Sequence, residues 1–328
     1  MPHSEEKQLT EHCDVLKDVI ENGMDWVSEN AESDKKSVTI YNLKKYRRSA
    51  KRYKNAAPKR PSIAIFGQSQ VGKSYLVSNL AKTTMAPSLE VLVPGEDERV
   101  DFISKINPPG GGKEATGLVS RFTIDINHQP GEQPYLLRLF SQADIVKIIA
   151  NGYLSDITHY KYLIDRNEIQ THLQKVAGKM SKELCPGFDE DDVYEVKEYL
   201  NHKFRDHFII RDLNNINFWD DIAEIVPYLD AEKRYEIFEI LWGKQEFFTL
   251  LFKKFSAGLK EIDFVSEARC ELAALTPQQD TILDVERLRE LYRENVNKPM
   301  VNLYSGNRKL GSLDRSIISA LTAEAILP

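Results

Sequence analysis

Residues 62–74 read SIAIFGQSQVGKS, a short apolar run followed by the pattern G-x-x-x-x-G-K-S over Gly67–Ser74. This pattern is typical of a phosphate-binding loop, which connects a buried strand to the start of a helix. The run Ile63–Phe66 has the length and branching of a parallel strand, and residues 75–82 can continue as a helix. The sequence therefore predicts the strand, loop and helix of a nucleotide-binding α/β domain.

Each part of this loop has a chemical role in that interpretation. Gly67 and Gly72 accept backbone angles that other residues resist, so that successive N–H groups can surround a phosphate at the positive end of the helix. Lys73 would reach the β- and γ-phosphates, and the Ser74 hydroxyl would bind Mg²⁺. The alternative is a Gly-rich turn with an exposed lysine. The predicted nucleotide-binding residues are Gly67, Gln68, Ser69, Gln70, Val71, Gly72, Lys73 and Ser74.

The composition is that of a globular chain with enough residues for about two or three domains. Apolar residues make up 41% of the 328 residues, enough to form a core. No apolar run reaches the roughly 18 residues of a membrane span, and the N-terminus lacks a signal-peptide pattern. We expect a cytoplasmic protein, which would reach a host cell only by a route that needs no Sec signal. The cysteines are too far apart to predict a disulfide framework or a zinc site; they are Cys13, Cys185 and Cys270.

The first sixty residues carry two opposed blocks of charge. Residues 4–34 hold ten acids and two bases, and residues 35–60 hold eleven bases and no acid. Apolar residues spaced by three and four predict a helix over residues 7–30. A second predicted helix over residues 38–55 carries the basic block. The two helices could pair as an antiparallel hairpin, acid against base.

The basic block at residues 35–60 leaves two interpretations open. Its charges can form a solvated helix face that the acidic helix neutralises. They can instead contact an anionic membrane, and interleaved tyrosines do not separate these alternatives. We do not favour a nucleic acid as the anionic partner.

A second Gly-rich segment follows the predicted nucleotide loop. Residues 108–117 read PPGGGKEATG and cannot form ordinary helix or strand. Residues 119–126 alternate as a strand should, and with Pro134–Phe140 as partner they predict a β-hairpin. A Gly-rich loop that carries hydroxyl residues into a strand suits a nucleotide-sensing switch. The alternative is a surface loop without chemical function.

The rest of the chain suggests an incomplete nucleotide-binding sheet. Residues 300–304 and 325–328 resemble strands that return to this sheet. The predicted fold class is an α/β P-loop nucleotide-binding domain, incomplete in this chain, with extensive additional α-helical structure. The predicted organisation is an N-terminal helical hairpin over 1–60, the first part of a P-loop NTPase domain over 61–142, a mostly helical domain or insertion over 143–299, and returning strands over 300–328.

A P-loop enzyme also needs an acid to organise Mg²⁺ and a group to position the attacking water. After the strand at 136–140, Asp144 stands without the glycine of an Asp-x-x-Gly motif. Asp212 follows an apolar run that resembles a strand, and Asn297-Lys298 begins like a guanine-reading motif but lacks its Asp. We therefore expect these residues to be the N-terminal part of a longer protein whose missing motifs lie beyond Pro328.

Two blocks of sequence carry a family resemblance. GQSQVGKSYL at 67–76 and INPPGGGKEATGLVSRFT at 106–123 resemble the SrfC-like bacterial virulence factor family. The resemblance implies a large bacterial protein with an N-terminal P-loop domain and with protein partners encoded nearby. It does not imply a settled reaction.

A second resemblance concerns mechanism. Residues 117–121, GLVSR, are similar to the switch I segment Gly-x-Val-Thr-Arg of dynamin-type GTPases. This implies GTP and Mg²⁺ as ligands, with Ser120 replacing the metal-sensing threonine or Thr116 serving instead. Gln70 stands where such loops usually have a small serine, which removes support for an assisting monovalent cation. Dynamin-like hydrolysis and self-association are thus expected, with an ATPase or a helical interaction scaffold with a regulatory or vestigial P-loop as alternatives.

Overall fold

The computed structural model describes most of the chain in two compact units, residues 1–65 and residues 66–328. The described residues are 4–59, 62–65, 72–83, 85–92, 99–107, 118–123, 131–156, 165–275, 283, 285–293 and 299–328.

The first unit contains a pair of antiparallel helices, α1 (Ser4–Asn30) and α2 (Ser33–Ala56). Both helices were expected from the apolar spacing. The interior of the pair is thin: Cys13, Ile20 and Val27 of α1 are buried at seven-residue intervals. Polar contacts add to it, since Lys54 forms an ion pair with Asp14 and the Lys36 ammonium donates to the Ser28 carbonyl.

The predicted strand Ile63–Phe66 is wrong over its described residues, 63–65. These residues form no strand, and the side chain of Ile63 is 97% exposed. An isolated apolar run becomes a buried strand only when a sheet receives it, and none does so here.

The second unit combines a helical layer with a six-stranded mixed sheet. A separate two-stranded pair, β1 (Glu90–Leu92) and β2 (Arg99–Asp101), precedes them. The sheet strands are β3 (Val119–Phe122), β4 (Tyr135–Leu139), β5 (Glu267–Cys270), β6 (Met300–Ser305), β7 (Arg308–Asp314) and β8 (Thr322–Leu327). The helices are α3 (Lys73–Ala81), α4 (Gln142–Asp156), α5 (Arg166–Ala177), α6 (Glu190–Phe204), α7 (Phe208–Asn215), α8 (Phe218–Ile225), α9 (Tyr235–Phe238), α10 (Glu246–Glu261), α11 (Val285–Arg293) and α12 (Arg315–Leu321).

The order of the sheet is β3-β8-β4-β5-β6-β7, and among the strand pairs of the described residues only β3–β8 is parallel. The predicted β3–β4 hairpin is therefore wrong, because β8 lies between these strands and pairs with both. The side chains of β8 alternate in burial, with Ala325 and Leu327 fully buried. A central strand forms backbone hydrogen bonds with a neighbour on each side, whereas in a direct hairpin β3 and β4 would pair with one another.

The segment 143–299 was expected to be mostly helical, and its described residues form α4 to α11 together with the short strand β5. Phe208–Asn215, which begins with an apolar run resembling a strand that ends at Asp212, is one of these helices, since Ile209, Ile210 and Leu213 form one buried helical face. Among the described helices, none has both the length and the apolar character needed to cross a membrane.

Local signals placed other elements well. The acidic run Asp189–Asp192 is typical of a helix start, and Asp189 is the N-cap of α6. The Asp189 carboxylate accepts from the Asp192 N–H while the Asp192 carboxylate accepts from the Asp189 N–H, forming a capping box. Such reciprocal bonds satisfy two amides that would otherwise have no partner in the helix.

A fully buried arginine joins several loops of the helical layer. The Arg234 guanidinium donates to the carbonyls of Val226, Pro186 and Cys185 and to the side-chain oxygen of Gln142. Burial lowers the pKa of Arg234 to about 10, so it still carries its charge at neutral pH. The charge is balanced mainly by carbonyl dipoles, which links residues distant in sequence through one side chain.

Replacing this side chain should destabilise the fold strongly. Arg234→Met removes the donor and leaves several buried oxygens without a partner, and we expect a loss of about 3–5 kcal/mol in unfolding free energy. Urea denaturation followed by circular dichroism measures it. Lys233→Met is the matched control, because its side chain is exposed on the same turn. Equal loss in both variants would contradict a role for the buried guanidinium.

Candidate functional site

The described part of the predicted nucleotide loop begins at Gly72. Gly72 has φ of +88° and is the N-cap of α3, whose first residues are Lys73 and Ser74. A Cβ at Gly72 would meet nothing within 4 Å, so the requirement for glycine is conformational rather than steric. The first N–H groups of a helix have no intrahelical acceptor and attract anions. The structure therefore places both polar residues of the motif at the positive end of a helix.

Ser74 is held by a residue that the motif does not include. The Asn107 side-chain amide donates to the Ser74 hydroxyl oxygen at 2.9 Å. One turn later on the same helix face, the Ser78 hydroxyl accepts from the Leu89 N–H at 2.9 Å. These two bonds attach α3 to the β1–β2 pair and to the segment that follows it.

That segment is a single π-helical turn, Phe102–Ile106, which ends at Asn107. Asp101 is its N-cap and accepts from the Ser104 N–H and from the Ser88 hydroxyl. Burial raises the pKa of Asp101, but the hydrogen bonds from Ser88 and Ser104 outweigh it and lower the pKa overall. The ionised carboxylate therefore stabilises the turn that positions Asn107.

The π-helical turn also contacts the strand that carries Ser120. The rings of Phe102 and Phe122 meet edge to face with centroids 4.8 Å apart. Side chains two residues apart on a strand share a face, so Ser120 lies on the same face of β3 as Phe122. In register, Ser120 is opposite Ala325 of β8. One series of contacts thus runs from Ser74 through Asn107 and the π-helical turn to the strand of Ser120.

The opposite face of β3 is attached to the sheet by charges. Glu324 of β8 forms ion pairs with Arg121 of β3 and Arg138 of β4, and Arg138 also pairs with Glu267 of β5. The side chains of Glu324, Arg121 and Arg138 are largely shielded from solvent, and that of Glu324 is 14% exposed. Arginines that bracket one carboxylate join three adjacent strands and restrain the position of β3.

Several predicted site residues lie outside the described residues. They are Gly67, Gln68, Ser69, Gln70, Val71 and Thr116, and the incomplete guanine-reading motif at Asn297-Lys298 lies outside them too. The described ones are Gly72, Lys73 and Ser74 at the start of α3 and Ser120 on β3.

The residues weighed as a catalytic acid have other partners. Asp144 lies in the first turn of α4, accepts from the Ser141 N–H and pairs with Lys147. Burial raises the pKa of Asp144, but the Lys147 charge and these hydrogen bonds lower it overall. Asp212 lies on α7 beside Arg211. Within the described ranges, no three or more His, Cys, Asp or Glu residues form a metal-binding group.

Asn107 and Glu324 were not predicted from the sequence. Asn107 precedes the Gly-rich segment without any motif of its own. Glu324 is the one charged residue in the otherwise apolar run Ala323–Leu327, on the face opposite to Ala325 and Leu327, and a largely shielded charge on a strand requires a partner. Its partners are distant in sequence, so the sequence signal does not identify them.

Comparison with known proteins gives one finding. A family model described as "Putative bacterial virulence factor" matches residues 23–328. The chain belongs to this family, which confirms the resemblance carried by residues 67–76 and 106–123. A search of curated proteins and a search of solved structures return no match. The dynamin-like interpretation remains a prediction from the sequence.

The charged contacts of β3 make a matched pair of variants. Glu324→Ala leaves two shielded arginines without their shared carboxylate, and we expect a loss of about 2–3 kcal/mol in unfolding free energy. Glu267→Ala removes a carboxylate that is 47% exposed and contacts Arg138 alone, so its cost should stay below about 1 kcal/mol. Urea denaturation of both compares them. A smaller loss for Glu324→Ala than for Glu267→Ala would contradict this role.

Proposed function

We propose that this member of the family binds a nucleoside triphosphate, GTP in preference, with Mg²⁺ through the loop Gly67–Ser74. The observation that carries the proposal is the complete motif together with the helix that begins at its lysine. Gly72 adopts the left-handed conformation that such a loop requires, and Lys73 and Ser74 follow at the helix N-terminus. A triphosphate has the charge and the oxygen atoms that this arrangement suits.

The proposed roles follow from the chemistry of each group. Loop N–H groups would surround the phosphates, Lys73 would neutralise them, and the Ser74 oxygen would bind Mg²⁺. Ser120 or Thr116 would sense the γ-phosphate and, for Ser120, contribute to the metal. Hydrolysis would be an in-line attack by water, stabilised by fixed charges and N–H groups.

The lysine variant tests binding directly. Lys73→Ala removes the charge next to the phosphates, and we expect Mg²⁺-dependent binding of GTP to weaken by at least about a hundredfold, since charged hydrogen bonds are the strong ones. Calorimetry with GTP and Mg²⁺ measures it. Lys82→Ala, immediately after the same helix, is the control and should bind like the unmodified protein. Absence of binding in the unmodified chain would overturn the proposal.

Two further measurements distinguish GTP from ATP as the ligand and binding from hydrolysis. Competition between GTP and ATP for one site decides between a GTPase and an ATPase, because a phosphate-binding loop does not discriminate bases. Phosphate release then reports turnover, which Ser120→Ala and Thr116→Ala should slow if either residue senses the γ-phosphate. Tight binding without turnover would support a regulatory nucleotide site.

Asn107 should affect metal-dependent binding. Its amide orients the Ser74 hydroxyl so that one oxygen lone pair remains for the metal. Asn107→Ala should therefore weaken Mg²⁺-dependent nucleotide binding by about three- to tenfold, the value of one net hydrogen bond. Asn79→Ala is the control, because Asn79 bonds only to the Tyr75 carbonyl on the exposed side of α3. Titration of Mg²⁺ at constant GTP measures the effect, and equal curves for both variants would contradict it.

A second candidate function is an interaction scaffold with a vestigial phosphate loop. It is favoured by the exposed apolar side chains of α3, Tyr75, Leu76 and Leu80, and by the absence of a strand over residues 62–65. A scaffold would retain its protein partner after Lys73→Ala and would bind no nucleotide. The calorimetric result above therefore decides between the candidates.

A further inference from the structure

Exposed apolar side chains are concentrated on the α1–α2 hairpin. Nine of the twenty large hydrophobic side chains found exposed in the described residues belong to these two helices. They are Leu9, Val15, Leu16, Val19, Trp26, Val38, Tyr41, Tyr46 and Tyr53.

Most of them share one side of the hairpin. A helix turns about 100° per residue, and the buried Ile20 and Ala50 mark the side on which each helix meets the other. Relative to these positions, the exposed residues of α1 and of α2 project to the same side of the pair. We call this surface the apolar face; it comprises Val15, Val19, Trp26, Val38, Tyr46 and Tyr53. By the same geometry, Tyr41 projects from the outer edge of α2, away from α1.

Most charges of the hairpin lie outside this face; Lys35, at the start of α2, projects on the same side as Tyr53 and pairs with Glu32. The ion pair of Lys54 with Asp14 lies on the reverse side of the pair. Between the apolar side chains of α2 lie the uncharged Asn42 and Ser49. The outer edge of α1 is acidic and that of α2 is basic. The acidic edge carries Glu11, Asp18 and Asp25, and the basic edge carries Lys45 and Arg52.

We propose that the apolar face docks on the same face of a second copy of this chain, forming a four-helix bundle. Two symmetric arrangements bring the faces together. A two-fold axis perpendicular to the helices stacks α1 on α1, which places acidic edges together. An axis parallel to the helices stacks α1 of one copy on α2 of the other, acid against base. Electrostatics therefore selects the parallel axis, and every neighbouring pair of helices is then antiparallel.

This arrangement specifies contacts. Within the hairpin, the Lys54–Asp14 ion pair and the Lys36–Ser28 hydrogen bond place Tyr46 level with residues 18–22 of α1, a range that includes Val19. A two-fold axis parallel to the helices preserves that level, so Val19 of one copy meets Tyr46 of the second. Trp26 then meets Val38 of the second copy. At the edge, Lys45 of the second copy falls between Asp18 and Asp25.

The same features disfavour a membrane as the occupant. An anionic lipid surface would attract the basic edge of α2 but repel the acidic edge of α1 beside it. A second copy instead matches each edge with its opposite and covers tyrosine and tryptophan, which are typical of protein interfaces.

The first test is the oligomeric state of the full chain. Sedimentation velocity over a range of concentrations should show a reversible dimer. Tyr46→Ser, in the apolar face, should weaken dimerisation at least tenfold, roughly the effect of losing one central aromatic contact. Tyr41→Ser is the matched control, because Tyr41 is 53% exposed against 61% for Tyr46 yet lies outside the face. A monomer at every concentration, or equal effects of the two variants, overturns the proposal.

The second test is the register. In a Cys185→Ser background, where Cys13 and Cys270 are buried, Val19→Cys and Tyr46→Cys chains are oxidised separately and as a mixture. Only the mixture should form disulfide-linked dimers, because two copies of Val19 would lie on diagonal helices. Cross-linking of Val19→Cys alone would indicate α1 on α1 and overturn the proposed arrangement. Monomers that bind anionic phosphatidylserine vesicles, with binding lost in Tyr46→Ser, would assign the face to lipid and overturn the dimer.

Discussion

The structure of the second unit depends on β8, the last strand, because it is the neighbour that joins β3 to the sheet. Backbone hydrogen bonds pair it in parallel with β3 and in antiparallel with β4. Glu324 adds ion pairs to Arg121 and Arg138, one on each neighbouring strand. The position of Ser120 is therefore determined by residues that lie far from it in the sequence.

The helical layer depends on a similar long-range connection. β4 and β5 are adjacent in the sheet, yet α4 to α10 lie between them in sequence. Arg234 lies within this helical segment and binds Gln142, the first residue of α4, together with carbonyls of two other stretches, at Cys185–Pro186 and at Val226. The lowered pKa of Arg234 records the cost of burying its charge, which the carbonyl oxygens offset. One side chain thus connects the beginning of the helical segment between β4 and β5 to its middle.

Local signals in the sequence predicted an element correctly wherever residues close together in the chain supply the interactions that form it. The spacing of apolar residues predicted α1 and α2, and the acidic run predicted the start of α6. They failed where the partner is distant, because β8 displaced the expected β3–β4 hairpin. For the candidate site, the motif predicted a helix beginning at Lys73, while Asn107 carries no motif and required the folded chain.

The bond between Asn107 and Ser74 connects the start of α3 to the strand of Ser120. Asn107 ends the π-helical turn, and Phe102 at its other end packs edge to face on Phe122 of β3. If Ser74 binds Mg²⁺ as proposed, its oxygen serves both the metal and the Asn107 amide, since a hydroxyl oxygen has two lone pairs. The start of α3 and the strand of Ser120, two parts of the proposed site, are thus connected through Asn107 and the π-helical turn, which no nucleotide-binding motif includes.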